Sequence, residues 1–120
     1  MSLPSKAFVL IVALFAWLPA EAQFLGLGFE SNIELTKHDL EIIHLTVDQQ
    51  VHGKPVGTTA SWSNPGSGNF GTIKLLKRYS PGSRTCEAVE YTLATRKMAV
   101  PPEHYTLNSC LQPDGAWKIT

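Results

Sequence analysis

What this 120-residue chain lacks narrows its chemistry early. It has no charge excess: 10 Lys and Arg balance 10 Asp and Glu. A protein that grips a phosphate backbone needs a basic stripe, so nucleic acid is not an expected partner. It has no apolar run long enough to span a bilayer. Its longest such run, residues 7–18, falls well short of the ~20 residues a membrane helix requires, and Pro19 follows. Aspartate is confined to Asp39, Asp48 and Asp114, and the last sits in a Pro113-Asp114-Gly115 turn, leaving paired-carboxylate catalysis little to work with. No serine lies in a nucleophile-elbow pattern. Cysteine is limited to 2 residues, Cys86 and Cys110.

What is present begins with an address. Lys6, the apolar run, Pro19 and Ala20-Glu21-Ala22 make a secretory signal peptide over residues 1–22, cleaved after Ala22 to leave Gln23 as the first residue. No cysteine lies near that site, so no attached lipid is expected there. Removing the segment takes away Lys6 and Glu21, which keeps the charge balanced. An even cysteine count in an oxidising compartment points to a Cys86–Cys110 disulfide. Closing that loop is worth roughly 3 kcal/mol, a large share for a domain this small.

Residues 23–35 show no clear period, and Gly26 and Gly28 loosen any helix, so they read as a partly apolar connector. Thr36-Lys37-His38-Asp39 places a hydroxyl three residues ahead of a carboxylate, as a helix N-cap does. Leu40, Ile43, Val47 and Val51 then form one apolar stripe of a helix over residues 37–52, which Gly53 and Pro55 end. After Pro55 the period changes to two. Residues 58–63 and 71–79 read as strands, the second with Ile73, Leu75 and Tyr79 on one face. Residues 85–95 follow with Val89, Tyr91 and Leu93 on one side. Tyr105, Leu107 and Leu111 share a face of a fourth strand, and Trp117 and Ile119 lie on a short last one. Short strands joined by tight turns favour an antiparallel meander. Cys86 and Cys110 each lie opposite the apolar face of their strand, so both point to the same side. The fold expected is α+β: one N-terminal helix packed on a small antiparallel sheet, with the disulfide on the other face.

Two suggestive patterns have plainer readings. Gly66-Ser67-Gly68-Asn69-Phe70-Gly71 matches the spacing of a dinucleotide loop, but such a loop needs a helix after it, and an alternating strand follows here. Asn64-Pro65-Gly66-Ser67-Gly68 is a hairpin connection, in which Pro presets one φ angle and glycine accepts positive ones. His44, Asp48 and His52 are zinc ligands in kind and lie on one side of the helix. The two histidines are two turns apart, about 12 Å along the axis. A solvated face, with His52 at the helix C-terminus, is the simpler reading. His38 beside Asp39 belongs to the cap.

The order of three motifs carries a resemblance. Trp62-x-Asn64-Pro65-x-Ser67-Gly68-Asn69-x-Gly71, then Cys86, then Cys110-x-x-Pro113-Asp114-Gly115-x-Trp117-Lys118-Ile119 resembles the C-terminal surface-antigen domain of the rickettsial 17 kDa surface antigen family. The likeness spans residues 34–120. Members of that family typically carry a lipoprotein cysteine and a glycine-zipper segment ahead of this domain, neither of which is found here. Where an arginine usually follows each cysteine, this sequence has Glu87 and Leu111. The resemblance implies a Gram-negative envelope protein, periplasmic or associated with the outer membrane.

The expectation is therefore a domain over residues 36–120, non-catalytic, without cofactor or metal, that binds another envelope protein or outer-membrane component. Trp62, Trp117, Tyr79, Tyr91 and Tyr105 are its most informative side chains. Such aromatics are more often core than interface. Residues 23–29 are too short to cross a membrane and lack the basic residues of an interfacial helix; peripheral contact remains compatible with them. The alternative is a small periplasmic inhibitor or ligand binder using the protruding loop Met98-Ala99-Val100-Pro101-Pro102.

Overall fold

The computed structural model describes residues 31–120. The expected signal peptide, its cleavage site and connector residues 23–30 lie outside the described residues. The helix, α1 (Lys37–Gln50), begins where the capping pattern places it. Thr36 holds extended dihedrals (φ −84, ψ 164), its hydroxyl accepts from the Asp39 N–H, and the Asp39 carboxylate accepts from the Thr36 N–H. This reciprocal box satisfies two amides that the first helical turn would otherwise leave unpaired. Leu40, Ile43, Val47 and Val51 are buried as one stripe. The helix stops at Gln50 rather than at His52, because Val51 leaves helical dihedrals (φ −126, ψ −53) and Gly53 turns the chain at φ 77.

Five strands follow: β1 (Thr59–Asn64), β2 (Asn69–Tyr79), β3 (Cys86–Thr95), β4 (Glu103–Leu111) and β5 (Trp117–Ile119). They form one antiparallel sheet in the order β1-β2-β3-β4-β5, a meander. One face receives α1. It carries Ala60 and Trp62 of β1, Ile73 and Leu75 of β2, Val89, Tyr91 and Leu93 of β3, and Leu107 of β4, all buried. The other face is largely polar and open, in the manner of antiparallel sheets that bury one side only. There Cys86 and Cys110 stand directly opposite each other and are joined by the disulfide, with Cα atoms 4.0 Å apart.

One facing differs from the alternation read in the sequence. Leu75 pairs with Val89 while Lys77 pairs with Ala88, so Leu76 is an extra residue on β2, a β-bulge. Beyond it every side chain of β2 changes sides. Tyr79 therefore does not share a face with Ile73 and Leu75; it lies in the row of Cys86 on the open face. The same shift turns Arg78 towards the helix side, opposite Glu87.

Candidate functional site

Polar chemistry on the helix side is concentrated in two buried carboxylates, one at each end of α1. Asp39, fully buried, lies at the N-terminal end. Its Oδ1 accepts from Asn64 Nδ2 (2.8 Å) and from the Ser67 hydroxyl (2.6 Å). Its Oδ2 accepts from Asn69 Nδ2 (2.7 Å) and from the Thr36 N–H (2.8 Å). The donors come from the β1–β2 turn, whose shape is set locally: Ser67 and Gly68 N–H groups donate to the Asn64 carbonyl, and Gly68 takes φ 80. Asn64 Oδ1 accepts from the Gly66 N–H, and Asn69 Nδ2 also reaches the Glu34 carbonyl. Of the two glycines in the connection, Gly68 alone is left-handed. Burial raises the Asp39 carboxyl, but the hydrogen bonds from Ser67, Thr36, Asn69 and Asn64 outweigh it and hold the group below its ordinary value. Pro65, between Asn64 and Gly66, is exposed.

Trp62 and Gly71 are cross-strand partners in the same motif. The indole is buried, and among the described residues its Nε1–H has no hydrogen-bond partner. A Cβ on Gly71 would lie 2.9 Å from that Nε1 and would collide with the Thr92 carbonyl. Glycine is needed here because of close approach, not dihedral freedom.

Glu87 anchors the other end of α1. It is fully buried on the helix side. Its Oε1 lies 2.7 Å from His52 Nδ1, and its Oε2 accepts from Arg78 Nη2 (2.8 Å) and from the Gly53 N–H (3.0 Å). The same Arg78 nitrogen donates to the Lys54 carbonyl (2.6 Å). Burial again pushes the carboxyl up, and the contacts with His52, Gly53 and Arg78 bring it below its ordinary value. The His52 ring, 5% exposed, stacks on Trp117 with centroids 4.7 Å apart and planes at 8°. Trp117 is delivered by the turn at Pro113, Asp114 and Gly115. There the Ala116 N–H donates to Asp114 Oδ1, the Gln112 N–H donates to the Ala116 carbonyl, and Gly115 takes φ 91. His52 is thus a buried tether rather than part of a solvated helix face.

The remaining candidates fall elsewhere. Asp48 lies 3.2 Å from His44 Nε2 and 3.9 Å from His52 Nε2. Among the described residues no group of His, Cys, Asp or Glu is placed to hold a metal ion. His38 contacts Glu41 on the exposed helix surface. Tyr91 is buried in the core, where desolvation and then the charges of Asp48 and Glu87 push its hydroxyl far up. Tyr79, Tyr105 and Trp117 are half-buried. The Tyr79 hydroxyl donates to Asn108 on the open face, and that of Tyr105 donates to Glu103. The loop at residues 98–102 joins β3 to β4, with Met98 51% exposed.

The chain is similar to proteins called 17 kDa surface antigen. It is 29% identical over 86 residues to that of Rickettsia bellii, which covers 71% of this chain and 52% of the relative. It is 30% identical over 86 residues to that of Rickettsia felis, with the same coverage. It is 30% identical over 84 residues to that of Rickettsia prowazekii, covering 69% of this chain and 51% of the relative. The chain therefore spans about half the length of the curated relatives it matches. No family model matches it, and no solved structure matches it. Among the described residues, no helix is long and apolar enough to cross a membrane.

Proposed function

Since the chain is a relative of the rickettsial 17 kDa surface antigens, we infer that it is an exported, non-catalytic cell-envelope protein that works by binding another envelope component. The kinship supports an envelope association. The reading as a binding module rests on one structural observation: the buried ionisable groups are spent on holding the domain together. Asp39 accepts hydrogen bonds on both oxygens from the turn and the cap, and Glu87 does so from His52, Arg78 and Gly53. A general base needs a lone pair within reach of a substrate proton, and these carboxylates direct theirs at structural donors.

The test is recovery of the full chain from a Gram-negative host, followed by fractionation and intact mass with and without reduction and alkylation. The expected result is an envelope fraction whose mass starts at Gln23 and gains two alkyl groups only after reduction. A cytoplasmic product retaining residues 1–22 sinks the reading. The exposed Met98 favours the second reading, an inhibitor or ligand binder acting through the 98–102 loop. Alanine replacement across that loop abolishes binding to a hydrolase if the second reading holds, and leaves an envelope module unaffected.

A further inference from the structure

The open face of the sheet has a charge that the neutral chain as a whole does not reveal. Lys74, Lys77 and Lys118 lie on it, all exposed. Plain alternation would set Lys74 and Lys77 on opposite sides; the bulge at Leu76 brings them to the same one. Lys118 lies in the row of Tyr79, Cys86 and Cys110, at the far edge of the sheet. The Arg96 guanidinium joins them, 4.3 Å from the centroid of Phe70, and the Lys77 ammonium lies 5.3 Å from that of Tyr79. Both aromatic rings are half-buried and hold these cations close to the face. Glu90, opposite Lys74, is the acidic side chain in these rows. The helix side carries Glu41, Asp48 and Glu103, besides the buried Asp39 and Glu87, against Lys37, Lys54 and Arg78, so acidic groups outnumber basic ones there. Balanced composition has become two faces of opposite character.

We propose that the open face of the sheet docks on an anionic lipid surface through its phosphate headgroups. The spacing favours a surface over a small anion. β2 and β5 are separated by three strand spacings, about 14 Å, so the ammonium groups are spread over a plane instead of converging on a point. Between them β3 and β4 present Thr92, Thr106 and Asn108, hydroxyls and an amide suited to headgroup oxygens, beside Ala88, Glu90 and His104. Phe70 and Tyr79, both half-buried, lie on the same face, and a membrane interface accepts aromatics at such positions. This inference names a partner for the binding module proposed above and rests on that reading.

The experiment is co-sedimentation of the exported, disulfide-closed chain with vesicles of phosphatidylcholine, with and without phosphatidylglycerol, over a range of salt. Each lysine near an anionic surface contributes about fivefold in affinity. The double variant Lys77→Gln/Lys118→Gln should lose roughly 25-fold. Lys37→Gln/Lys54→Gln, with the same change in net charge but on the helix side, should stay within about twofold of the parent. Binding should weaken as salt rises and be absent with phosphatidylcholine alone. Equal losses in the two double variants, or no preference for phosphatidylglycerol, overturn the proposal. So does tighter binding to polyglutamate or duplex DNA than to vesicles, which would assign the face to a protein or nucleic-acid partner. If fractionation places the chain in the envelope while vesicles fail to bind, the docking face is refuted and the envelope reading stands.

Discussion

Asp39→Asn is the most direct probe of how this domain is held together. Both oxygens of Asp39 accept hydrogen bonds, from Asn64, Ser67, Asn69 and the Thr36 amide. Asparagine has the same shape but replaces one accepting oxygen with a donor, which then faces donors it cannot pair. Hydrogen bonds to a charged group contribute about 1.5–3 kcal/mol each, and a buried donor left unpaired costs about 1–3 kcal/mol. These terms do not add, since the turn relaxes and water enters. Losing one charged hydrogen bond and leaving its donor unpaired costs about 1.5–3 kcal/mol, a substantial part of the 5–15 kcal/mol that holds a small domain folded. Urea unfolding at neutral pH, with the disulfide intact, should therefore shift by about that amount.

The pH dependence follows with a definite sign. The folded-state pKa of Asp39 lies below its ordinary value of 3.8. Its stabilisation is therefore complete above the unfolded-state pKa and is lost as pH falls through the folded one. Glu87, lowered from 4.5, behaves in the same way. The parent should be stable from neutrality down to about pH 4 and lose stability steeply below it. Asp39→Asn should begin less stable and fall less steeply. A variant within about 0.5 kcal/mol of the parent, or an unchanged acid slope, would refute the claim that this carboxylate pins the helix to the turn.

Further outcomes follow from the same geometry. Gly71→Ala should destabilise by about 1–3 kcal/mol in urea, because its methyl meets the Thr92 carbonyl and the Trp62 ring; a neutral result would remove the close-approach argument. Cys86→Ser/Cys110→Ser should cost about 3 kcal/mol on the loop-closure estimate while leaving the far-ultraviolet spectrum of helix and sheet in place. Deleting Leu76 should cost less than deleting Thr72. Removing the bulged residue leaves every later side chain on its present face, whereas removing a laddered one reverses them, and thermal melting ranks the two.

The periods of two and 3.6 made most of the fold legible. The stripe of Leu40, Ile43, Val47 and Val51 and the Thr36–Asp39 box announce α1 because helix geometry repeats within a few residues. The parity of Cys86 and Cys110 was enough to set both on one face, since parity survives along an uninterrupted strand. It failed at Tyr79 because nothing in Leu75-Leu76-Lys77 marks a bulge: Leu76 is as strand-compatible as its neighbours, and only pairing with β3 shows it to be extra. The tethering role of Glu87 is hidden for a related reason. Parity sets it on the side of Val89, Tyr91 and Leu93, but its partners, Arg78 and the adjacent His52 and Gly53, come from two other places in the chain.

These misses also explain why the two motifs look like sites and behave as fasteners. Asn64, Ser67 and Asn69 belong to a turn, yet their donors meet on Asp39 at one end of α1. Trp117, delivered by the Pro113-Asp114-Gly115 turn, stacks on His52 at the other end. Each motif joins a hairpin to a helix terminus, the region where a helix has unpaired backbone groups and gains most from a partner. A single bulge completes the arrangement. By reversing the last part of β2 it sends Arg78 inward to neutralise Glu87 and leaves Lys77 outward beside Lys74. The device that makes a buried carboxylate tolerable on the helix side is therefore the same one that concentrates cations on the open face, and neither is visible in a net charge of zero.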